Sequence, residues 1–110
     1  MNEKMLEMTM ISLDDGVVMP ELSFYLDATT REACEAVGHA VKNEECIFLA
    51  NPVHKNGDKT VSFYEIGVIA RMKQFVRLQN KGMRVLIQTE KRARLVDYSK
   101  DKYYVCHVTD

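Results

Sequence analysis

Few of the side chains from which catalytic centres are usually built occur in this sequence, and those present are poorly placed for it. Cysteine occurs at Cys34, Cys46 and Cys106, and histidine at His39, His54 and His107. No C-x-x-C or H-x-x-x-H pair is present, which removes the spacings that hold zinc. Cys106 and His107 are adjacent in a strand-like run, so their side chains point to opposite faces. An odd number of cysteines without close spacing argues against a disulfide framework and for reduced thiols in a cytoplasmic protein. Ser12, Ser23, Ser62 and Ser99 lie in no G-x-S-x-G elbow. The segment "NGDKT" (Asn56–Thr60) looks like the tail of a phosphate-binding loop. It lacks the earlier glycine, and Asp58 would set a carboxylate against the phosphate.

Charge of one sign is also lacking. Fifteen Lys and Arg face sixteen Asp and Glu, for a net charge of -1. That excludes a generally basic protein that clings to any nucleic acid, though not a local basic face. No window approaches the roughly 18 apolar residues of a membrane-spanning helix. The start, "MNEKMLEMTM", is polar and acidic where a secretory signal needs an apolar stretch.

What remains is a chain of 110 residues, 46% hydrophobic, enough for one domain with a real core. Residues 1–8 read as a tail and residues 9–110 as the domain. "TMISL" (Thr9–Leu13) reads as a short strand and "DDG" (Asp14–Gly16) as a turn. Leu22–Leu26 reads as a second strand, with Pro20 marking a bend because proline offers no ladder donor. From Thr30 to about Asn43 the positions of Ala33, Val37, Ala40 and Val41 predict a helix, with Thr29 and Glu32 as a capping box. "CIFLAN" (Cys46–Asn51) reads as a buried central strand, followed by a polar loop.

The stretch "FYEIGVIARMKQFVRLQNKGMRVLIQTEKRAR" (Phe63–Arg94) contains no cysteine, histidine or serine. From Ile66 to Leu78 six of the seven even positions, Ile66, Val68, Ala70, Met72, Val76 and Leu78, are apolar and Gln74 is not, which predicts one long half-buried strand. "QNKG" (Gln79–Gly82) is a hairpin loop with glycine where positive φ is often required, and Met83, Val85 and Ile87 resume the alternation. "RARLVDY" and "YYVCHVT" read as two more strands. The expected fold is α+β and mostly β: curled antiparallel sheets of six or seven strands, barrel-like, with one helix between early strands. The chain stops at Asp110 directly out of a strand, as a piece of a longer protein would.

Two features remain to be placed. Arg71, Lys73 and Arg77 fall on one expected strand face, and Arg92 and Arg94 on another. Such a face is commonly just solvated; the functional reading is an anionic partner. The aromatics Phe63, Tyr64, Phe75, Tyr98, Tyr103 and Tyr104 read as cross-strand packing pairs before they read as base-stacking platforms. Seven methionines either fill a core or form an adaptable surface.

The stretch Tyr64–Tyr98 resembles the N-terminal domain of Lon, the ATP-dependent protease. The family's "VGT-A-I" strand corresponds to Ile66, Gly67, Ala70 and Met72. Its "KLPDGT" loop corresponds to Asn80 and Gly82, its "VLVEG" strand to Val85, Leu86 and Ile87, and its "RARI" strand to Arg92, Ala93, Arg94 and Leu95. "SLDDGVVMP" (Ser12–Pro20) occupies the place of "PLRD-VVFP", so the resemblance runs from about Met10 to Val108. The family's Pro and Arg of "PLRD" are Ser12 and Asp14 here, its Gly-Arg before the helix is Thr29-Thr30, and the Gly of "VLVEG" is Thr89.

The resemblance implies a PUA-like pseudo-barrel that selects unfolded or tagged polypeptides. The helical, ATPase and Ser–Lys protease modules of the parent lie elsewhere, as do its ATP and Mg. The resemblance also implies a homohexameric cytoplasmic machine, with no catalytic, cofactor or metal residue and no enzyme activity in this piece. Expected partner-contact residues are Met19, Pro20 and Leu22 at the bend and Arg31 and Glu32 at the helix start. Gly67 and Gly82 are expected to be structural. Two alternatives stand beside this one: a stand-alone module of the same fold, and a PUA-like binder of nucleic acid through the Arg71–Arg94 face. An enzyme in its own right is a third and weaker reading.

Overall fold

The computed structural model describes residues 5–13, 19–42, 46–53, 62–79 and 82–109. The elements run β1 (Leu6–Ser12), β2 (Ser23–Ala28), α1 (Arg31–Lys42), β3 (Ile47–Ala50), β4 (Pro52–Val53), β5 (Ser62–Phe63), β6 (Ile66–Arg77), β7 (Met83–Lys100) and β8 (Tyr104–Thr109). Six of these strands form one sheet in the order β2-β7-β6-β3-β1-β8, and β7 also pairs with β8. That extra pairing closes β7, β6, β3, β1 and β8 into a ring and leaves β2 attached to β7 outside it. β4 and β5 make a separate small ribbon. The expected curled, mostly β architecture with one early helix is therefore present. It differs in one pairing, since β1 and β3 run parallel. Parallel neighbours need a crossover connection, and the segment carrying β2 and α1 supplies it.

Length explains how the ring closes. β7 is a single strand of 18 residues, where two separate strands were expected. Its first part pairs with β2 and β6, and its last part, from Arg94 to Lys100, pairs with β8. Similarly, β1 begins at Leu6, inside the stretch read as a tail, and Met8 is buried. The "DDG" turn, His54 and the "NGDKT" segment lie outside the described residues.

Strand alternation gives β3 two buried faces, and all four of its residues are 0% exposed. Ile47 and Leu49 join Ile11, Ala70, Val85 and Ile87 beneath Ala36, Val37 and Ala40 of α1. Phe48 and Ala50 join Met8, Met10, Ile69, Ala93, Cys106 and Val108 within the ring. Each core thus takes alternate residues of the same strands, as a period-two chain in a curled sheet must. The methionines are divided accordingly: Met8 and Met10 are core, whereas Met5 and Met19 are exposed.

Inside the ring the Phe48 ring lies over Gly67. A Cβ at Gly67 would overlap that ring and the Leu49 carbonyl oxygen, so only glycine permits the approach of β6 to β3 there. Gly82 is buried, and its carbonyl accepts the Leu78 N–H at 2.8 Å, closing the β6–β7 hairpin. Phe63, Tyr98 and Tyr104 meet edge-to-face with centroids 5.1, 5.2 and 5.9 Å apart, a packing cluster of the kind expected from their strand positions.

The helix start is shifted from the expected cap. Thr30 Oγ1 accepts the Ala33 N–H at 3.1 Å, which makes Thr30 rather than Thr29 the N-cap. Glu32 then belongs to the first turn and reaches Lys100 on β7 at 3.0 Å.

The long alternation in β6 breaks down in its second half. The β6–β7 register shifts between Ile69 and Ala70 and again between Met72 and Gln74. The second shift inserts one residue and reverses which side chains face α1. Phe75, paired with Val85, turns toward the helix side, and Val76, paired with Arg84, turns away from it. Val76 is consequently 61% exposed, and Ile66, at the start of the strand and before both shifts, is 54% exposed, against the half-buried stripe expected of them. The expected single basic face does not form either. Arg71 lies on the face away from the helix and is ion-paired with Glu90, while Arg77, opposite Met83, lies on the helix side.

Candidate functional site

β2 is the outer strand of the sheet among the described residues, and it sets the geometry of the candidate surface. Its entrance is fixed by Thr89. The Thr89 N–H donates to the Leu22 carbonyl at 2.8 Å, and the Glu21 N–H donates to the Thr89 carbonyl at 3.2 Å. The Thr89 hydroxyl accepts the Leu22 N–H at 2.7 Å and lies 3.2 Å from the Leu22 carbonyl. Glu21 takes a left-handed backbone with φ of 59°. The sharp bend this makes holds Met19 and Leu22 at 45% and 42% exposure, with Pro20 half-buried between them.

The Leu22–Thr89 bond fixes which backbone groups of β2 face inward. In an antiparallel ladder hydrogen-bonded positions alternate, so Leu22, Phe24, Leu26 and Ala28 address β7. The N–H and C=O groups of Ser23, Tyr25 and Asp27 therefore address the open side. The Tyr25 side chain is 66% exposed. It shares the face away from α1 with Val76 and the half-buried Leu86. Arg84 holds Asp27 on the same face through two hydrogen bonds of 2.8 and 3.1 Å. That contact lowers the Asp27 pKa, chiefly by hydrogen bonding, and raises that of Arg84. Both groups stay charged and neutralise each other, leaving Tyr25, Leu86 and Val76 as the available surface.

On the helix side, a cleft of about 590 Å³ opens between the end of β1, the end of β2 and the first turns of α1. Leu13, Leu26, Ala28, Ala33 and Tyr103 contribute its apolar lining, and β7 contributes nothing. The cleft therefore lies beside the open edge of β2 rather than the paired one.

The residues expected to contact a partner do not gather at one place. Met19, Pro20 and Leu22 lie at the start of β2, and Arg31 and Glu32 follow its end. A six-residue strand separates them, a span of about 20 Å. Arg31 is solvated and 3.6 Å from Glu35 in the next turn. Glu32 is engaged with Lys100, whose pKa it raises chiefly by hydrogen bonding. Sequence reasoning missed Tyr25, Val76 and Leu86. Tyr25 was legible as a large aromatic on the face opposite Leu26. Val76 was not, because the register shift that exposes it depends on β7.

Among the described residues the histidines and cysteines form no group of three or more with carboxylates that could hold a metal ion. His107 lies 2.6 Å from Asp97 and 3.2 Å from Glu7 on neighbouring strands. Cys106, beside it in sequence, is buried on the opposite side, and burial pushes its thiol up to about 12. His39 stacks against Tyr103 on the outside of α1, with centroids 5.4 Å apart. No described helix is long and apolar enough to cross a membrane.

Comparison with known proteins places this geometry. Residues 7–110 match the family model of the ATP-dependent protease La (LON) substrate-binding domain. The chain is 30% identical over 106 residues to the Lon protease of Brevibacillus choshinensis, covering 94% of this chain and 14% of that protein. It is 33% identical over 105 residues to the Lon protease of Halothermothrix orenii, covering 93% of this chain and 13% of that protein. The chain thus spans about one-seventh of the length of these relatives. Among solved structures, the N-terminal domain of Mycobacterium avium complex Lon protease superposes with a TM-score of 0.66 at 18% identity, over 96% of this chain and 54% of that one. The Lon N-terminal domain protein from Xanthomonas campestris superposes with a TM-score of 0.72 at 14% identity, over 96% of this chain and 57% of that one. With the family model covering both the closed ring and the bend before β2, this chain belongs to the LON substrate-binding domain family.

Proposed function

We propose that this domain captures unfolded or tagged polypeptides for an ATP-dependent protease, holding extended segments along the open edge of β2. The observation that carries this reading is the alternation at that edge. The N–H and C=O groups of Ser23, Tyr25 and Asp27 address the open side, with Tyr25 exposed on the strand, Leu22 exposed just before it, and a partly apolar cleft on its helix side. Main-chain bonding gives an added strand its affinity without regard to sequence, and shallow apolar contacts add a forgiving preference. A selector of many unfolded chains needs that combination rather than a deep polar pocket. Met19, at the bend, brings a flexible side chain suited to varied partners.

In this reading the domain binds and presents substrate, and bond cleavage belongs to other modules. ATP and Mg would serve the parent's ATPase, a Ser–Lys pair its protease, and assembly would follow the hexameric plan of Lon. A cytoplasmic location accords with three free cysteines. The division of the basic residues between two faces, with Arg71, Arg84 and Arg94 each near a carboxylate, favours polypeptide over nucleic acid as the partner.

The test is binding of a reduced, carboxamidomethylated protein to the chain and to two variants. Ser23→Pro removes one outward N–H at an edge position that tolerates proline, and Tyr25→Ser removes the exposed ring. Each is expected to weaken binding several-fold, with little dependence on salt. Unchanged binding in both variants, or a steep loss with salt in the wild-type chain, would refute the reading.

A further inference from the structure

A second surface, on the opposite side of the sheet from Tyr25, has a different chemistry. Between the second half of α1 and the second half of β6 run two adjoining hollows of about 340 and 590 Å³, both lined by Val41 and Phe75. Together they make one groove. Its wider part has an apolar floor, Val41 from α1, Phe75 from β6, and Leu78 and Met83 from the hairpin, and its narrower part sets Met72 and Phe75 beside Arg71, Lys73 and Gln74. Phe75 is 47% exposed there, because the register shift between Met72 and Gln74 turns it toward α1. Lys42 and Arg77 stand at the wider hollow and Lys73 at the narrower one.

These three cations differ from Arg71, Arg84 and Arg94 on β6 and β7. Arg71 has Glu90, Arg84 has Asp27, and Arg94 has Glu65. Among the described residues, Lys42, Lys73 and Arg77 have no ion-pair partner and none of the residues lining either hollow is a carboxylate. A partly apolar trough whose flanking Lys42, Lys73 and Arg77 have no ion-pair partner among the described residues is complementary to a segment that alternates carboxylates with large apolar side chains. The mainly aliphatic floor fits leucine or phenylalanine side chains. It offers a single aromatic ring, fewer than the successive platforms on which nucleic-acid bases stack.

We propose that the α1–β6 groove binds acidic-apolar polypeptide segments, as a docking site separate from the β2 edge. The proposal rests on the reading that this domain's partners are polypeptides, and it adds a preference that the β2 edge does not impose. Segments rich in Asp or Glu and Phe or Leu would be retained by the groove while extended chain of any sequence lies along β2.

The experiment uses the whole 110-residue chain and a fluorescein-labelled peptide alternating Glu or Asp with Phe or Leu. A version with Lys in place of every acid serves as comparison. The acidic peptide is expected to bind about tenfold more tightly at low salt, with the gap narrowing as salt rises. The double variant Lys42→Glu/Arg77→Glu is expected to abolish or reverse that preference, and Phe75→Ser to weaken acidic binding several-fold. Melting curves establish that each variant folds, and Lys42→Gln/Arg77→Gln serves if the glutamates perturb α1. Tyr25→Ser is expected to leave acidic-peptide binding unchanged while weakening capture of the carboxamidomethylated protein. Equal affinity for the acidic and lysine peptides overturns the groove while leaving the β2 edge standing, as does an unchanged preference in the double variant. Displacement of the acidic peptide by an equimolar single-stranded oligonucleotide also overturns it, in favour of a nucleic-acid site.

Discussion

The Thr89 hydroxyl accepts the Leu22 N–H at 2.7 Å across 67 positions of sequence, and Thr89 is 2% exposed. Together with the main-chain bonds to Glu21 and Leu22, this contact ties the bend before β2 to the middle of β7. Thr89→Val keeps the shape and removes the hydroxyl, leaving the Leu22 N–H without that partner. The expected loss is about 1–3 kcal/mol of stability, measured by urea denaturation. Peptide capture at the β2 edge should weaken as well, since the bend loses an anchor. A variant as stable as the wild type would show that the clamp contributes nothing.

Gly67 faces the Phe48 ring and the Leu49 carbonyl with no room for a Cβ. Gly67→Ala should destabilise by about 1–3 kcal/mol through overpacking. Phe48 is among the largest fully buried side chains, so the compensating variant is Phe48→Leu. The double variant Gly67→Ala/Phe48→Leu should recover part of the loss, and a double-mutant cycle by chemical denaturation measures the coupling. Strict additivity would contradict a direct clash between the two.

The helix cap supplies a paired comparison of neighbouring residues. Thr30→Ala removes the acceptor of the Ala33 N–H and should cost about 0.5–2 kcal/mol. Thr29→Ala, one position earlier, removes a residue without that role and should stay within about 0.5 kcal/mol of wild type. Thermal unfolding of the two variants side by side decides the matter; the reverse order would restore Thr29 as the cap.

His107 sits between Asp97 and Glu7 on the outside of the closed ring, one carboxylate on each neighbouring strand. The hydrogen bond to Asp97 raises its pKa above the ordinary 6.5, with the Asp97 and Glu7 charges adding and desolvation opposing. The folded value exceeds the unfolded one, so this stabilisation is complete below the unfolded value and is lost as pH rises through the folded one. The melting temperature should therefore decline as pH rises from the ordinary histidine value through the raised folded one. In His107→Gln that decline should flatten. Cys106, pushed up to about 12, remains neutral throughout and does not contribute. An identical slope in the variant would assign the dependence to other groups.

Much of the architecture was legible because local pattern and burial agree in it. The helix spacing of Ala33, Val37 and Ala40, the apolar run of Ile47–Ala50 and the Met83–Ile87 alternation each reflect one surface meeting one core. Motifs at Ile66–Met72 and Arg92–Leu95 pointed to the family because they code a close strand approach and a strand crossing rather than chemistry. The candidate surface was less legible. Met19 and Leu22 follow from a bend marked by proline, but Tyr25, Val76 and the α1–β6 groove depend on which strand each residue lies against.

The residue order alone determined a mostly β architecture with an early helix, because period and run length are local properties that every turn of chain repeats. It also determined that no familiar catalytic spacing is present. Only the tertiary structure decided that β7 runs unbroken through 18 residues to close the ring, and that a register shift in β6 divides the basic residues between two faces. Those outcomes arise from pairing between strands far apart in sequence. One inserted residue in such a pairing reverses every side chain beyond it, a reversal invisible to any pattern read along a single strand.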